Sequence, residues 1–255
     1  MSEVIAIVNR RGGVGKTATA HAVGAGLSLR GYKILYIDLD SQCNLTFDVG
    51  GNTTPLTSME VLSGTATAQE AIQHTPGGDI IPASPSLAVA DNTIDGTGKE
   101  YRLKEALEPL AGIYDYIVID TPPALGVLTV NALTACNSAI IPAQAEVHSI
   151  QGIGLLYEVI RAVQKYTNPA LNVLGILITR YNGRTILSRD MRSNLEATAK
   201  ELNTRVFQTP IRECTAIKEA QAMQSDIFTY APRSNATADY KALIDEIIQG
   251  ADNNG

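Results

Sequence analysis

The residue types best suited to chemistry are concentrated in the segment from Arg10 to Thr17, which reads Arg-Arg-Gly-Gly-Val-Gly-Lys-Thr. The glycines lack a Cβ, so the backbone N–H groups of this segment can approach anionic oxygens closely. Lys16 adds a positive charge, and the hydroxyl of Thr17 suits Mg²⁺. The apolar run Val4–Val8 before the segment predicts a strand, and the pattern of Lys16–Arg30 predicts a helix. A loop that leads from a strand into a helix N-terminus favours phosphate binding.

Carboxylates follow two further apolar runs. Ile34–Ile37 leads into Asp38 and Asp40, and a run at 117–119 leads into Asp120, which a threonine and two prolines follow. Parallel strands bring such ends to the carboxyl edge of a sheet, where ligands bind. One carboxylate there can hold a metal shell while another orients water beside a phosphate. The alternative is that these acids only cap the ends of strands and loops.

These residues resemble the deviant Walker A motif of the ParA/MinD ATPases, in which a lysine stands where this chain has Arg11. The acidic segments Asp38–Asn44 and Asp120–Pro123 resemble the same family, with Ser41 and Cys43 in place of its usual proline and glycine. The resemblance extends over nearly the whole chain and is strongest to the small, Soj-like ParA branch. It implies that Arg11 reaches the phosphates of a partner subunit in a dimer that encloses ATP. The alternative is that Arg11 is a solvated arginine of the loop.

The resemblance also implies a set of site residues, with ATP and Mg²⁺ as cofactors. Lys16, Arg11 and Asp40 are the predicted catalytic residues, with Asp40 positioning water. The predicted nucleotide contacts are Arg11, Gly12, Gly13, Val14, Gly15, Lys16, Thr17, Ala18, Thr179, Arg180 and Pro210. The predicted metal ligands are Thr17, Asp38 and Asp120, and the alternative for Asp38 is that it supports the switch segment.

The pattern of apolar runs predicts an α/β fold. Continuous runs at 4–8, 34–37, 117–119, 139–141 and 173–178 are typical of strands covered on both faces. Helical patterns fit 16–30, 150–166, 188–202 and 237–249, and short elements and loops are expected over 52–98. We therefore predict one doubly wound, mostly parallel sheet flanked by helices, as in the P-loop NTPase fold. It would form a single ATPase domain over residues 1–250, with a flexible tail at 251–255.

The charge is unevenly distributed. The chain carries a net −6, yet eight Lys or Arg and four acids lie between residues 180 and 218, which gives that window a net +4. Such an excess can bind phosphate backbones without reading sequence, and the resemblance implies nonspecific DNA binding here. The alternative is a helix face laced with ion pairs. The predicted DNA-binding residues are Arg184, Arg189, Arg192 and Lys218.

Composition excludes several other classes. The three cysteines are far apart in sequence, which speaks against a disulfide framework, a metal cluster and a reductase-type electron donor. No signal peptide or membrane span is visible, so a cytoplasmic protein is expected. The resemblance implies that it associates with the nucleoid through DNA. It further implies a homodimeric DNA-partitioning ATPase that does not bind membranes, is slow on its own and is stimulated by a ParB-like partner. The alternatives are a MinD-like ATPase for a non-DNA cargo, a nucleotide-controlled binding module and an amidotransferase-type synthetase.

Overall fold

The computed structural model describes residues 2–252, apart from the side chains at positions 147, 148, 187 and 250–252. Its seven strands within that range are β1 Glu3–Ile7, β2 Ile34–Asp38, β3 Gln73–Thr75, β4 Gly78–Ile81, β5 Tyr116–Asp120, β6 Ser138–Gln144 and β7 Asn172–Thr179. They form one sheet in the order β3-β4-β2-β5-β1-β6-β7. Every pair is parallel except β3 with β4.

Twelve α-helices occur in the described part of the chain, with short 3-10 turns between some of them. They are α1 Lys16–Ser28, α2 Asn44–Asp48, α3 Ser58–Ser63, α4 Ala68–Ala71, α5 Ala90–Thr93, α6 Arg102–Leu107, α7 Val127–Ala135, α8 Val147–Tyr166, α9 Ile186–Glu201, α10 Thr215–Ala222, α11 Ile227–Tyr230 and α12 Asn235–Asp252. Within residues 2–252 no helix has the length and apolar character needed to cross a bilayer.

The central strands are buried on both faces. All five residues of β2 and of β5 are buried, because a parallel sheet needs helices on either side. Alternate residues of β1 enter different cores: Ala6 packs with residues of α3, α6, α7 and α8, whereas Ile5 packs with residues of α1, α11 and α12. This arrangement confirms the predicted doubly wound α/β fold.

The packing of α1 against α12 depends on Gly26. A Cβ at this position would lie 2.0 Å from Cδ1 of Ile244 and 2.9 Å from Cζ of Phe228, so a larger residue would force these buried side chains to move. Ala22, Val23 and Leu27 are buried on the same side of α1. This close packing fixes the helix whose N-terminus follows the predicted phosphate loop.

Two features differ from the sequence prediction or extend it. Residues 73–81, expected to lie among loops and short elements, supply β3 and β4 at one edge of the sheet. Helix α12 continues to Asp252, two residues into the segment predicted as a tail, and residues 253–255 lie outside the described range. Strands β3 and β4 are only three and four residues long, which is too short for a clear alternation of apolar and polar residues.

Candidate nucleotide-binding site

The loop between β1 and α1 is shaped by two glycines and braced by two distant strands. Gly13 and Gly15 have φ values of 74° and 90°, which side chains with a Cβ rarely adopt. The amide of Gln144, at the end of β6, donates to the carbonyl of Gly13 at 3.0 Å. The hydroxyl of Thr179, at the end of β7, donates to the carbonyl of Val14 at 2.8 Å. The ends of β6 and β7 thus fix the loop through its carbonyl groups, and its N–H groups can bind an anion in the cleft.

Lys16 points into this cleft from the first position of α1. Its ammonium donates to the carbonyl of Arg11 at 3.1 Å, across the loop. Burial lowers the pKa of Lys16, and the carboxylates of Asp120 and Asp40 act against that shift. A buried ammonium beside open backbone N–H groups is the environment that a triphosphate would occupy.

Thr17 and Asp120 meet beside Lys16. The hydroxyl of Thr17 donates a 2.6 Å hydrogen bond to Oδ2 of Asp120. The other carboxylate oxygen, Oδ1, is buried and has no partner among the described residues. Burial, with the nearby charge of Asp38, raises the pKa of Asp120 well above its usual value. A cation would satisfy the unpaired oxygen and restore the ionised form, so these two residues fit Mg²⁺.

Asp38 organises the switch segment that follows β2. Its Oδ1 accepts from the backbone N–H of Asp40 at 3.0 Å. Its Oδ2 accepts from both the N–H and the hydroxyl of Thr46, at 2.9 and 2.8 Å. Because both oxygens are engaged, Asp38 positions the switch in this structure, and its role as a metal ligand stays a prediction. Burial raises the pKa of Asp38 to about 6 despite these hydrogen bonds.

Asp40 lies at the cleft, as the sequence predicted for a water-positioning residue. It is buried and lines the same cleft as Lys16 and Thr17. Its Oδ1 accepts from the N–H of Gln42 at 3.0 Å, which leaves Oδ2 without a hydrogen bond within the described residues. This carboxylate is therefore placed to accept a hydrogen bond from water near the phosphates.

The lining of the cleft combines predicted and unpredicted residues. Gly12, Gly13, Gly15, Ala18, Thr179 and Arg180 line it as expected, whereas Arg11, Val14 and Pro210 do not appear in the lining. The residues after Pro210 do so instead, namely Ile211, Arg212, Glu213 and Cys214. Arg212 is fixed there by Asp239 of α12, with its backbone N–H and guanidinium Nε at 3.0 and 2.9 Å from one carboxylate oxygen. Thr179 braces the loop rather than projecting freely towards a base.

The side chain of Arg11 turns away from the cleft. Its guanidinium lies 2.7 Å from the carboxylate of Glu146, just before α8. Both side chains are partly exposed, at 37% and 48%, so solvent weakens the attraction between them. Arg11 can therefore exchange Glu146 for another anionic partner. Sequence reasoning missed Glu146, Thr46 and Asp239, because each acts through a contact with a residue distant in the chain or across a turn.

The four predicted DNA-binding residues have three different kinds of surroundings. Arg184 and Arg189 are exposed and their side chains have no ion pair among the described residues. Arg192 pairs with Glu196 at 2.9 Å, one turn along α9, which supports the alternative of an ion-paired helix face at that position. Lys218 lies on α10, where it lines the nucleotide cleft.

Comparisons with known proteins agree with this geometry. A family model described as "AAA domain" matches residues 2–173. The sporulation initiation inhibitor protein Soj of Bacillus subtilis is 37% identical over 97% of this chain and 98% of its own length. The chain belongs to the ParA/MinD family of P-loop ATPases. The chromosome partitioning protein ParA of Caulobacter vibrioides is 34% identical over 96% of this chain and 93% of its own length.

A solved structure links the family to its cofactors. The cobyrinic acid a,c-diamide synthase of Mycobacterium smegmatis, with a bound ATP analogue and magnesium, is 34% identical and superposes with a TM-score of 0.87. The match covers 100% of this chain and 98% of that one. ATP and Mg²⁺ are therefore the cofactors of this ParA-family fold, in agreement with the pair Thr17–Asp120.

Proposed function

We propose that this ParA-family chain acts over residues 1–250 as one ATPase domain that positions DNA in the cytoplasm. ATP holds two copies together, the dimer binds DNA nonspecifically, and hydrolysis releases it. The observation that carries the proposal is the different direction of two basic side chains on one loop. Lys16 enters the chain's own cleft, whereas Arg11 leaves it and meets Glu146. A cation outside its own cleft is available to the phosphates of a second copy.

The residues of the cleft divide the chemistry between them. Lys16 and the loop N–H groups bind the phosphates, and Thr17 with Asp120 would hold Mg²⁺, which would supply positive charge beside them. Asp40 orients the water that attacks the γ-phosphorus, and the bond to the β-phosphate oxygen breaks to leave ADP and phosphate. Arg11 of the partner subunit adds charge to the same phosphates. Because Asp40 positions water without a second base, basal turnover is expected to be slow until a ParB-like partner orders the switch.

The C-terminal helix favours DNA over a membrane as the cargo surface. Three acids of α12 are engaged with other elements: Asp239 with Arg212, Asp245 with Arg30, and Glu246 with the backbone of Gln208 and Thr209. Lys241 is the one basic residue of α12, so the helix presents no basic face to anionic lipids. Exposed arginines instead lie before and within α9, at Arg184 and Arg189.

A mobility assay tests the DNA step. Nonspecific duplex DNA is titrated with protein in ATP, in ADP and without nucleotide, and retention is expected with ATP alone. Arg184→Glu with Arg189→Glu should remove retention and flatten its salt dependence, since each lost phosphate contact lowers the slope by about 1. Lys104→Glu with Lys165→Glu changes net charge equally at exposed positions outside the window and should retain DNA. Retention without ATP, or none at all, would overturn the DNA step.

A second candidate function, amide synthesis, is suggested by the similarity to the cobyrinic acid a,c-diamide synthase of M. smegmatis. Release of ammonia from glutamine would need an activated cysteine, in this chain or in a partner protein. Burial raises the pKa of Cys43, in the switch segment, to about 11, which makes this cysteine a poor nucleophile. ATP turnover that depended on glutamine or ammonia, and not on DNA or a partner protein, would favour the synthase.

A further inference from the structure

Two glutamines of the α10 region hold the end of helix α2, which closes the switch segment. The side-chain amide of Gln221 donates to Oδ2 of Asp48 at 2.8 Å, and that of Gln224 donates to the carbonyl of Phe47 at 3.0 Å. These bonds join residues 173 and 177 positions apart in the chain. We propose that Gln221 and Gln224 are positioning residues for ATP hydrolysis, which set the place of Asp40 by holding α2. This inference rests on the proposed function, in which Asp40 orients the attacking water.

Helix α2 is too short to fix its own position. It has five residues, Asn44–Asp48, and isolated helices of this length do not persist in water. It follows Cys43, which has a left-handed φ of 55° and provides no side-chain cap. Near its middle the hydroxyl of Thr46 donates to Asp38, and at its end the bonds come from the α10 region. The position of α2 therefore depends on contacts at both places.

The switch segment can transmit the position of α2 to Asp40. The backbone N–H of Cys43 donates to the carbonyl of Asp40 at 2.8 Å, and the N–H of Phe47 donates to the carbonyl of Cys43 at 3.0 Å. The segment is thus one hydrogen-bonded unit from Asp40 to the residues that the two glutamines hold. Helix α10 is itself fixed to α1, since Ala220 is buried in the same core as Ala22. The two glutamines therefore relate Asp40 to the helix that begins at the phosphate loop.

Asp48 is costly to bury if it serves stability alone. Its side chain is buried, and its carboxylate accepts one hydrogen bond among the described residues, from Gln221. Burial raises the pKa of Asp48 to about 6. A buried carboxylate with a single partner is less favourable than an apolar residue of similar size. Asp48 also lines the nucleotide cleft together with Asp40 and Gln221, where a role in hydrolysis explains its presence.

Gln224 has an unfavourable backbone conformation. It lies two residues beyond the end of α10 with a φ of 49°, in the left-handed region where glycine is favoured. A glycine there would relieve the backbone but could not reach Phe47. The bond to α2 is therefore a reason for a side chain at this position.

Gln224→Gly separates the positioning role from a structural one. The variant relieves the backbone, so its melting temperature should be unchanged or higher. Turnover of ATP should nevertheless fall by about threefold or more, because a small displacement of a positioned group lowers the rate. The Kd for a fluorescent ATP analogue should stay within about twofold of wild type. Wild-type turnover in this variant would show that Gln224 does not position the switch.

Reciprocal exchange tests the bond between Gln221 and Asp48. At pH 8.5, Gln221→Glu places two carboxylates together, and their repulsion should part α10 from α2 and lower turnover by about tenfold or more. Asp48→Asn keeps an acceptor for Gln221 and should stay within about threefold of wild type. In the double variant the introduced amide donates to the introduced carboxylate, so turnover should recover to a similar level. Independent roles of the two residues would give no recovery.

Gln69→Glu is the matched control, since this glutamine of α4 is exposed and lies outside the cleft, and it should hydrolyse ATP as wild type. Circular dichroism and binding of the fluorescent analogue establish that each variant folds. If wild type hydrolyses ATP and Gln221→Glu does so equally, or the double variant fails to recover, the positioning role is overturned and the proposed function stands. If wild type binds ATP and does not hydrolyse it, the proposed function and this inference are both overturned.

Discussion

The hydroxyl of Thr17 donates to the carboxylate of Asp120, 103 residues further along the chain, at 2.6 Å. This hydrogen bond joins the start of α1 to the end of β5, and it leaves the second oxygen of Asp120 buried without a partner among the described residues. In the absence of a cation the carboxylate is held at a cost, which appears as its raised pKa. The site therefore favours the binding of a cation.

Asp120→Asn separates cation binding from stability. The amide can still accept from Thr17, but it supplies no charge to Mg²⁺, so the increase in ATP affinity that Mg²⁺ produces should fall by roughly tenfold or more. Stability without nucleotide should be unchanged or higher, because a buried ionisable group is removed. Binding of a fluorescent ATP analogue with and without Mg²⁺, together with a thermal melt, measures both. A wild-type response to Mg²⁺ in the variant would contradict the metal assignment.

Lys16→Ala and Arg11→Ala should produce different defects from the same loop. Lys16 is buried in the cleft, so its loss should weaken ATP binding by at least about 2 kcal/mol, or roughly 30-fold in Kd. Arg11 lies outside the lining of that cleft, and its loss should leave binding to the monomer within about twofold while the ATP-dependent dimer is lost. Titration calorimetry and sedimentation distinguish the two. Equal losses of ATP affinity would place Arg11 in its own site instead.

Asp40→Ala should bind ATP and fail to hydrolyse it. Loss of the water-positioning carboxylate should lower turnover by about 100-fold or more. The variant should therefore stay bound to DNA over the time in which wild type hydrolyses its ATP and is released. Asp40→Asn is the matched variant, because its amide oxygen can still accept from the N–H of Gln42 and keep the loop ordered. If Asn restores hydrolysis, the residue serves to order the loop. If both variants hydrolyse normally, Asp40 does not position the water.

His21 makes stability depend on pH. Burial lowers the pKa of this side chain on α1 to about 4, below the value of 6.5 expected in the unfolded chain. The unfolded state therefore binds the extra proton between these values, so this contribution is present above pH 6.5 and is lost as pH falls. Between pH 7.5 and pH 5 the loss should be about 2 kcal/mol. Urea unfolding of wild type and His21→Gln at both pH values measures it, and the variant should lack this part of the dependence. Equal dependence in both would mean that His21 is not held neutral.

Much of the fold was predictable because its central strands are short and wholly apolar. The strand expected at 117–119 is β5, and its flanking Tyr116 and Asp120 belong to it as well. The helix expected at Lys16–Arg30 ends at Ser28, with Gly31 in the left-handed region just beyond it. Strands β3 and β4 and helix α10 were not predicted individually, because short elements carry too few residues to establish a period.

The sequence by itself determined the phosphate loop and the acids at the ends of β2 and β5. Local backbone requirements place glycine, lysine and threonine together, and strand ends in a parallel sheet meet at one edge. Only the tertiary structure decided which groups those residues contact: Thr46 for Asp38, Asp239 for Arg212 and Glu146 for Arg11. Such partners depend on strand order and on the rotation of each helix about its axis, which no local pattern specifies.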